Sequence, residues 1–237
     1  MESMLTLLGF GPQGWGDEIA SGVLITVSLA LATVPFGLAL GFAVALAKLS
    51  GDRCLKLSAD IFTTIFRGLP ELLTLFLVYY GAQIAIQQML ASMGQSGGIE
   101  INAFVAGMVA LGVVFAAYAS EVFVSAFRAI PRGQYEGADA LGLSRWRTMR
   151  HVILPQLIRV ALPGLSNLWL ILLKETSLVS VIGLADIVRQ TSIAARVSRE
   201  AFLFYAFACL IYLALAMLSS LVFNRIERRV ATPGMTR

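Results

Sequence analysis

Charge-free apolar runs divide this chain into long segments separated by short polar ones. The first, Ile19 to Ala47, carries no ionisable side chain and exceeds the roughly 20 apolar residues needed to cross a bilayer. Pro35 is expected to kink it, and Gly37 and Gly41 form a small-xxx-small step on which another helix can pack closely. The second run covers about 72–91. The third, 103–127, holds one carboxylate, Glu121, about two turns before its basic end at Arg128. The fourth, 156–185, is interrupted. Val160 to Leu173 is uncharged but too short to cross and contains Pro163; Lys174 and Glu175 follow, and Thr176 to Ala185 is apolar again. The fifth covers 201–223. The pattern predicts an all-α integral membrane protein, five transmembrane helices forming one domain over 1–237.

The longest polar stretch, Pro131 to Pro155, falls between the third and fourth runs. Two short helices can be read in it. The first runs from about Gln134 to Leu141, with Glu136 in its first turn, where a carboxylate favours the positive end of the helix dipole. Gly142 is expected to end it through a left-handed C-terminal cap. Ser144 suits the N-cap of a second piece that would stop near Pro155. Two small helices set at an angle on a loop between spans make a knob that fits a groove on a partner.

Composition agrees with the membrane class: 58% of residues are hydrophobic and only 14% charged. The net charge of +4 sits in loops and tail, with no basic-aromatic interleaving, so it reports on topology and not on nucleic acid. Lys48, Arg53, Lys56 and Arg67 mark the first connection as cytoplasmic. The connection 92–102 lacks Lys and Arg and reads periplasmic. Arg128, Arg132, Arg145, Arg147 and Arg150 place the knob inside, as Arg225, Arg228 and Arg229 place the C-terminus. The N-terminus then lies outside. Arg189, Arg196 and Arg199 run against this bias and have no account in the sequence. Cys54 and Cys209 suggest neither a disulfide nor a metal site. With Glu2, Asp17 and Glu18 but no Lys or Arg ahead of a long first run, no cleavable signal is expected.

Glu136, Ala138, Gly142, Val152, Leu154 and Pro155 fall at the spacing of the "EAA" loop of ABC importer permeases: Glu-Ala-Ala, three residues, Gly, nine residues, Ile-any-Leu-Pro. Gly137 replaces the first Ala and should loosen the first helix slightly; Val152 replaces the Ile. Further blocks resemble polar amino-acid permeases of that family: Thr64-Ile-Phe-Arg67-Gly-Leu-Pro70-Glu71, Tyr80-Gly-Ala-Gln-Ile84, Ala117-Tyr-Ala-Ser-Glu121, Lys174-Glu-Thr-Ser-Leu-Val-Ser180 and Gly183-Leu-Ala-Asp186. Within it the chain is similar to the histidine/lysine/arginine/ornithine and opine permeases of the bacterial inner membrane. The resemblance implies a type I ABC importer fold and ATP-driven import of basic amino acids or opines. It also implies a second permease subunit (a copy or a paralogue), a dimeric ATP-binding cassette ATPase that holds the ATP and Mg, and a periplasmic solute-binding protein. In that family the loop docks on the ATPase, which assigns the docking role here to Glu136, Gly137, Ala138, Gly142, Leu154 and Pro155. The chain has no Gly-x-x-x-x-Gly-Lys-Ser/Thr phosphate loop, so no ATPase site of its own, and it reads as a conduit and not an enzyme. An ion-gradient-driven secondary transporter is the alternative; it would call for more spans or an internal repeat, and none is found. A membrane scaffold without any path is a further one.

Ionisable groups at membrane depth usually face a cavity or a partner. Glu121, Lys174 and Glu175 are the candidates for the substrate path, with Thr176 and Ser177 completing a polar rung beside Glu175. The opposing reading is that Lys174 and Glu175 neutralise each other or snorkel. Arg67 reads as an interfacial anchor, and His151, among arginines, as a solvated or docking residue.

Overall fold

The computed structural model describes residues 6–12, 14–92 and 101–230. Helices account for all of its regular structure, with no strand among the described residues. They are α1 (Gly16–Leu49), α2 (Arg53–Gly68), α3 (Glu71–Ser92), α4 (Ala103–Ala129), α5 (Arg132–Ala140), α6 (Arg145–Thr148), a π-helical turn (Met149–Ile153), α7 (Leu154–Glu175), a 3-10 helix (Thr176–Ile182), α8 (Ile187–Ser198) and α9 (Ala201–Val230). Among the described residues, five helical stretches are long and apolar enough to cross a membrane, namely α1, α3, α4, the run Arg145–Ile182, and α9.

Helix α4 is the centre of the bundle and the most buried of the five. Its buried side chains are mostly small (Ala106, Ala110, Ala116, Ala117 and Ala119 among them), so neighbouring backbones come close. Lipid tails are as apolar as the helices, and such tight van der Waals packing takes the place of the hydrophobic effect between spans. The Gly37/Gly41 step of α1 is used in this way. A Cβ on Gly37 would lie 2.6 Å from the Phe115 ring, and one on Gly41 would lie 2.9 Å from the Ala116 carbonyl oxygen.

Residue pairs across the interfaces give the directions. Along α1 and α4, Leu29 lies by Gly107, Gly37 by Gly112 and Phe115, and Gly41 by Ala116 and Ala119. The numbers rise together, so these helices run parallel. Gly164 of α7 lies against Val122, and Val179 against Gly107, so α7 runs the other way. Arg67, at the end of α2, meets Glu121 of α4, while Gln83 of α3 accepts the Ile101 N–H. The broken helix α2–α3 therefore climbs antiparallel to α4. Phe204, early in α9, packs with Ile19, and the Phe223 ring lies 6.3 Å from that of Trp169 at a tilt of 56°, so α9 returns beside α7. Successive spans alternate in sense, as five crossings require.

Several local expectations change. The basic first connection is not a loop: Asp52 caps α2 by accepting the Cys54 and Leu55 N–H groups. The second piece of the knob does not stop near Pro155. Leu154 N–H bonds back to the Met149 carbonyl in the wider π register, and that turn admits a proline at the second position of α7 without ending the helix. Helix α7 also runs on through Pro163. The predicted break at Lys174-Glu175 is a change of pitch from α to 3-10, closed by Gly183 at φ 91°. Residues 93–100 of the predicted 92–102 connection, like residues 1–5 of the N-terminal segment, lie outside the described residues.

Arg189, Arg196 and Arg199 belong to or end α8, a short helix packed against the first turns of α1 and α9. Asp186 caps it through the Arg189 N–H at 2.9 Å and is fully buried. Burial pushes its carboxyl up to about 6, against the pull of the backbone N–H groups at the helix start. The three arginines are thus carried by a folded element above the bundle, and not by a short loop of the kind that the charge bias is counted over.

Candidate functional site

The knob is built from its two helix ends. Helix α5 starts at Arg132, behind Pro131, two residues earlier than the sequence suggests, so Glu136 lies in the second turn and away from the dipole end. Its far end is a Schellman motif: Leu143 N–H donates to Ala138 O at 3.1 Å and Gly142 N–H to Asp139 O at 2.9 Å. Gly142 stands at φ 70°, the left-handed region that favours glycine. Ser144 then caps α6 through the Arg147 N–H at 3.5 Å. Gln156 donates to Gln134, tying α7 back to α5. Of the six residues assigned to docking, Ala138 is buried and Leu154 half-buried, whereas Glu136, Gly137, Gly142 and Pro155 are exposed. Gly137 sits within an intact α5 with open space around its α-carbon. His151 is exposed, with Nδ1 3.2 Å from the Arg147 carbonyl oxygen.

A second polar feature lies at the same end of the bundle. Lys48 Nζ lies 2.6 Å from Glu121 Oε1 and 3.3 Å from Asp60 Oδ1, and Arg67 Nη1 lies 3.2 Å from the same Glu121 oxygen. The Arg67 guanidinium also covers the Tyr118 ring, 5.5 Å from its centre. These groups line a cavity of about 480 Å3 together with Thr63 and Thr64. Arg67, expected to be an interfacial anchor, is tied to Glu121 by this ion pair. Its helix climbs along α4 until the guanidinium reaches Glu121, a partner that is remote in sequence. Glu121 is held by two cations, Lys48 and Arg67. The Lys48 side chain is only 11% exposed, so loss of Glu121 leaves a nearly buried ammonium with Asp60 alone. Glu121→Gln is expected to destabilise the protein by about 1–2 kcal/mol, discounted from a fully buried pair because Glu121 is partly solvated. Lys48→Met/Glu121→Gln together should cost less than the two single changes summed, as thermal unfolding in detergent can measure.

Glu175 and Lys174 are neighbours on α7 but form no ion pair among the described residues; Glu175 is half-buried and Lys174 exposed. The rung expected from Thr176 and Ser177 does not form from their donors. Thr176, fully buried, donates to the Leu173 carbonyl, and Ser177 to that of Lys174. What sequence reading missed is a stripe. Pro155, Arg159, Pro163, Asn167 and Lys174 are all exposed along one face of α7, at steps of four or seven. The spacing was available in the sequence, but its exposure depends on which face the other helices cover.

Residues 34–232 match the family model described as "Binding-protein-dependent transport system inner membrane component". The chain is 42% identical over 225 residues to the nopaline transport system permease protein NocQ of Agrobacterium fabrum, covering 94% of this chain and 95% of that one. It is 39% identical over 216 residues to the histidine/lysine/arginine/ornithine transport system permease protein HisQ of Salmonella typhimurium, covering 91% and 94%. Among solved structures, a chain of an amino acid ABC transporter crystallised with histidines superposes with a TM-score of 0.76 at 34% identity, over 91% of this chain and 95% of that one. The secondary-transporter and scaffold alternatives give way to this match. With its five alternating spans and its helical knob, the chain belongs to the inner-membrane permease components of binding-protein-dependent transport systems.

Proposed function

We propose that this permease imports basic amino acids or opines, driven by an ATP-binding cassette subunit that docks on the 131–155 knob. The observation that carries the substrate class is the 42% and 39% identity, over nearly the whole chain, to permeases named for nopaline and for histidine, lysine, arginine and ornithine. In this reading the end of the bundle bearing the knob is cytoplasmic and the first turns of α1 are periplasmic, where a solute-binding protein delivers cargo. ATP and Mg belong to the partner ATPase. The exposed stripe on α7 places Asn167 and Lys174 where bare lipid would be costly. A second permease subunit, copy or paralogue, covers that face, and the path runs between the two.

Glu175, half-buried where α7 changes pitch, is the carboxylate assigned to the cargo's guanidinium, ammonium or imidazolium group. Glu175→Gln keeps the shape and removes the charge. Uptake of arginine or histidine by the reconstituted complex, with saturated binding protein, is expected to fall roughly tenfold, since a charge-assisted contact contributes about 1.5–3 kcal/mol. Uptake of a neutral cargo should fall far less. An unchanged rate for the cationic cargo takes Glu175 off the path.

A further inference from the structure

Two apolar side chains stand out on the polar knob. Leu141 is 80% exposed and Trp146 69% exposed, on either side of the turn that Gly142 makes possible. On the spans, lipid accounts for exposed apolar surface; on a polar loop between spans it does not. Arg145, Arg147 and Arg150 are exposed around Trp146, and Glu136 and Asp139 are exposed on the helix that ends at Leu141.

The signature residues are occupied differently. Ala138 is buried, and its carbonyl accepts the Leu143 N–H. Gly142 supplies the left-handed turn, and Leu154 and Pro155 carry the helix out of the π turn. These residues shape the knob, and what the shape presents outward is Leu141 and Trp146.

We propose that Leu141 and Trp146 are the apolar anchors by which the knob seats in the ATP-binding subunit. Its groove is apolar at the floor and lined with carboxylates where it meets Arg145, Arg147 and Arg150. The proposal rests on the docking role given to the knob above. A buried aromatic ringed by charged groups is the usual centre of binding energy in protein interfaces. A protein groove suits this surface better than the bilayer face. An anionic leaflet would attract the three arginines but repel Glu136 and Asp139 beside Leu141, whereas a groove can match both signs.

The test uses the permease complex in nanodiscs, titrated with its purified ATP-binding subunit. Leu141→Ala and Trp146→Ala are each expected to raise the Kd on the order of tenfold or more. Melting should stay unchanged because both side chains are exposed, and Trp146→Phe should recover most of the affinity. In parallel, Ala140→Cys, with Cys54 and Cys209 replaced, reports by cross-linking whether the knob touches the ATPase. Cross-linking together with weakened binding bears the proposal out. Cross-linking with a Kd within twofold of the parent overturns the anchors and leaves the docking role standing. Absence of cross-linking overturns the docking role and the anchors with it.

Discussion

Gly142→Pro is expected to abolish ATP-coupled uptake while the protein still accumulates in the membrane. Residue 142 stands at φ 70°, and proline fixes φ near −65°. The substitution also deletes the N–H that donates to the Asp139 carbonyl. The Schellman motif cannot close, and the chain leaves α5 in another direction. Helix α5 then no longer meets the start of α7 at the Gln156–Gln134 contact. The bundle beyond Leu154 does not depend on that turn, so insertion should survive. Gly142→Ala makes the useful contrast. Its Cβ would meet nothing within 4 Å, leaving only the left-handed backbone strain of about 1–2 kcal/mol, and it should reduce coupling without removing it. The measurement is stimulation of ATP hydrolysis by loaded binding protein in the reconstituted complex. Full stimulation in Gly142→Pro would show that the knob's turn plays no part in coupling. Glu136→Lys, which the dipole argument alone would make damaging, is expected to act only through the partner, since Glu136 sits in the second turn.

The largest effect on stability is expected from Gly41→Val. Its first added carbon would lie 2.9 Å from the Ala116 carbonyl oxygen and 3.0 Å from the Ala119 Cβ. Both belong to the central helix α4, whose backbone cannot swing aside like the end of a flexible side chain. Helices α1 and α4 must separate, and the Phe42 ring, edge-on to Phe123 at 5.4 Å, shifts with them. Overpacking of this kind costs typically 1–3 kcal/mol and occasionally more; at a backbone-to-backbone crossing we expect the upper end, about 3 kcal/mol. Gly81→Ala is the matched control. It lies inside helix α3 with nothing within 4 Å of the added Cβ, so better helix propensity should make it neutral or stabilising by up to about 1 kcal/mol. Thermal unfolding of the purified variants separates the two. Equal melting temperatures would mean that the α1–α4 crossing does not limit stability.

The membrane class, the spans and the turn at Gly142 were legible in the sequence because each depends on neighbours along the chain. An apolar run either reaches across a bilayer or does not, and a glycine after a helix can adopt φ 70° whatever lies around it. The same holds for Ser144 as a cap. Tertiary structure decided what depends on residues far apart in sequence. Glu121 read as an ionisable group facing a cavity or a partner, and only the fold brought Lys48 of α1 and Arg67 of α2 to it, over separations that no local pattern records. The ion pair of Arg67 was hidden from the sequence for the same reason. Pro155 read as a stop because local rules assume α-helical hydrogen bonding, and a π turn relaxes that rule at one point. The Thr176 and Ser177 hydroxyls turned to their own helix, since a carbonyl one turn back is always within reach. Which face of α7 stays uncovered, and hence where Asn167 and Lys174 look outward, was set by the packing of α4 and α9 around it. Periodicity names the faces of a helix, but only the neighbouring helices choose which one is left open.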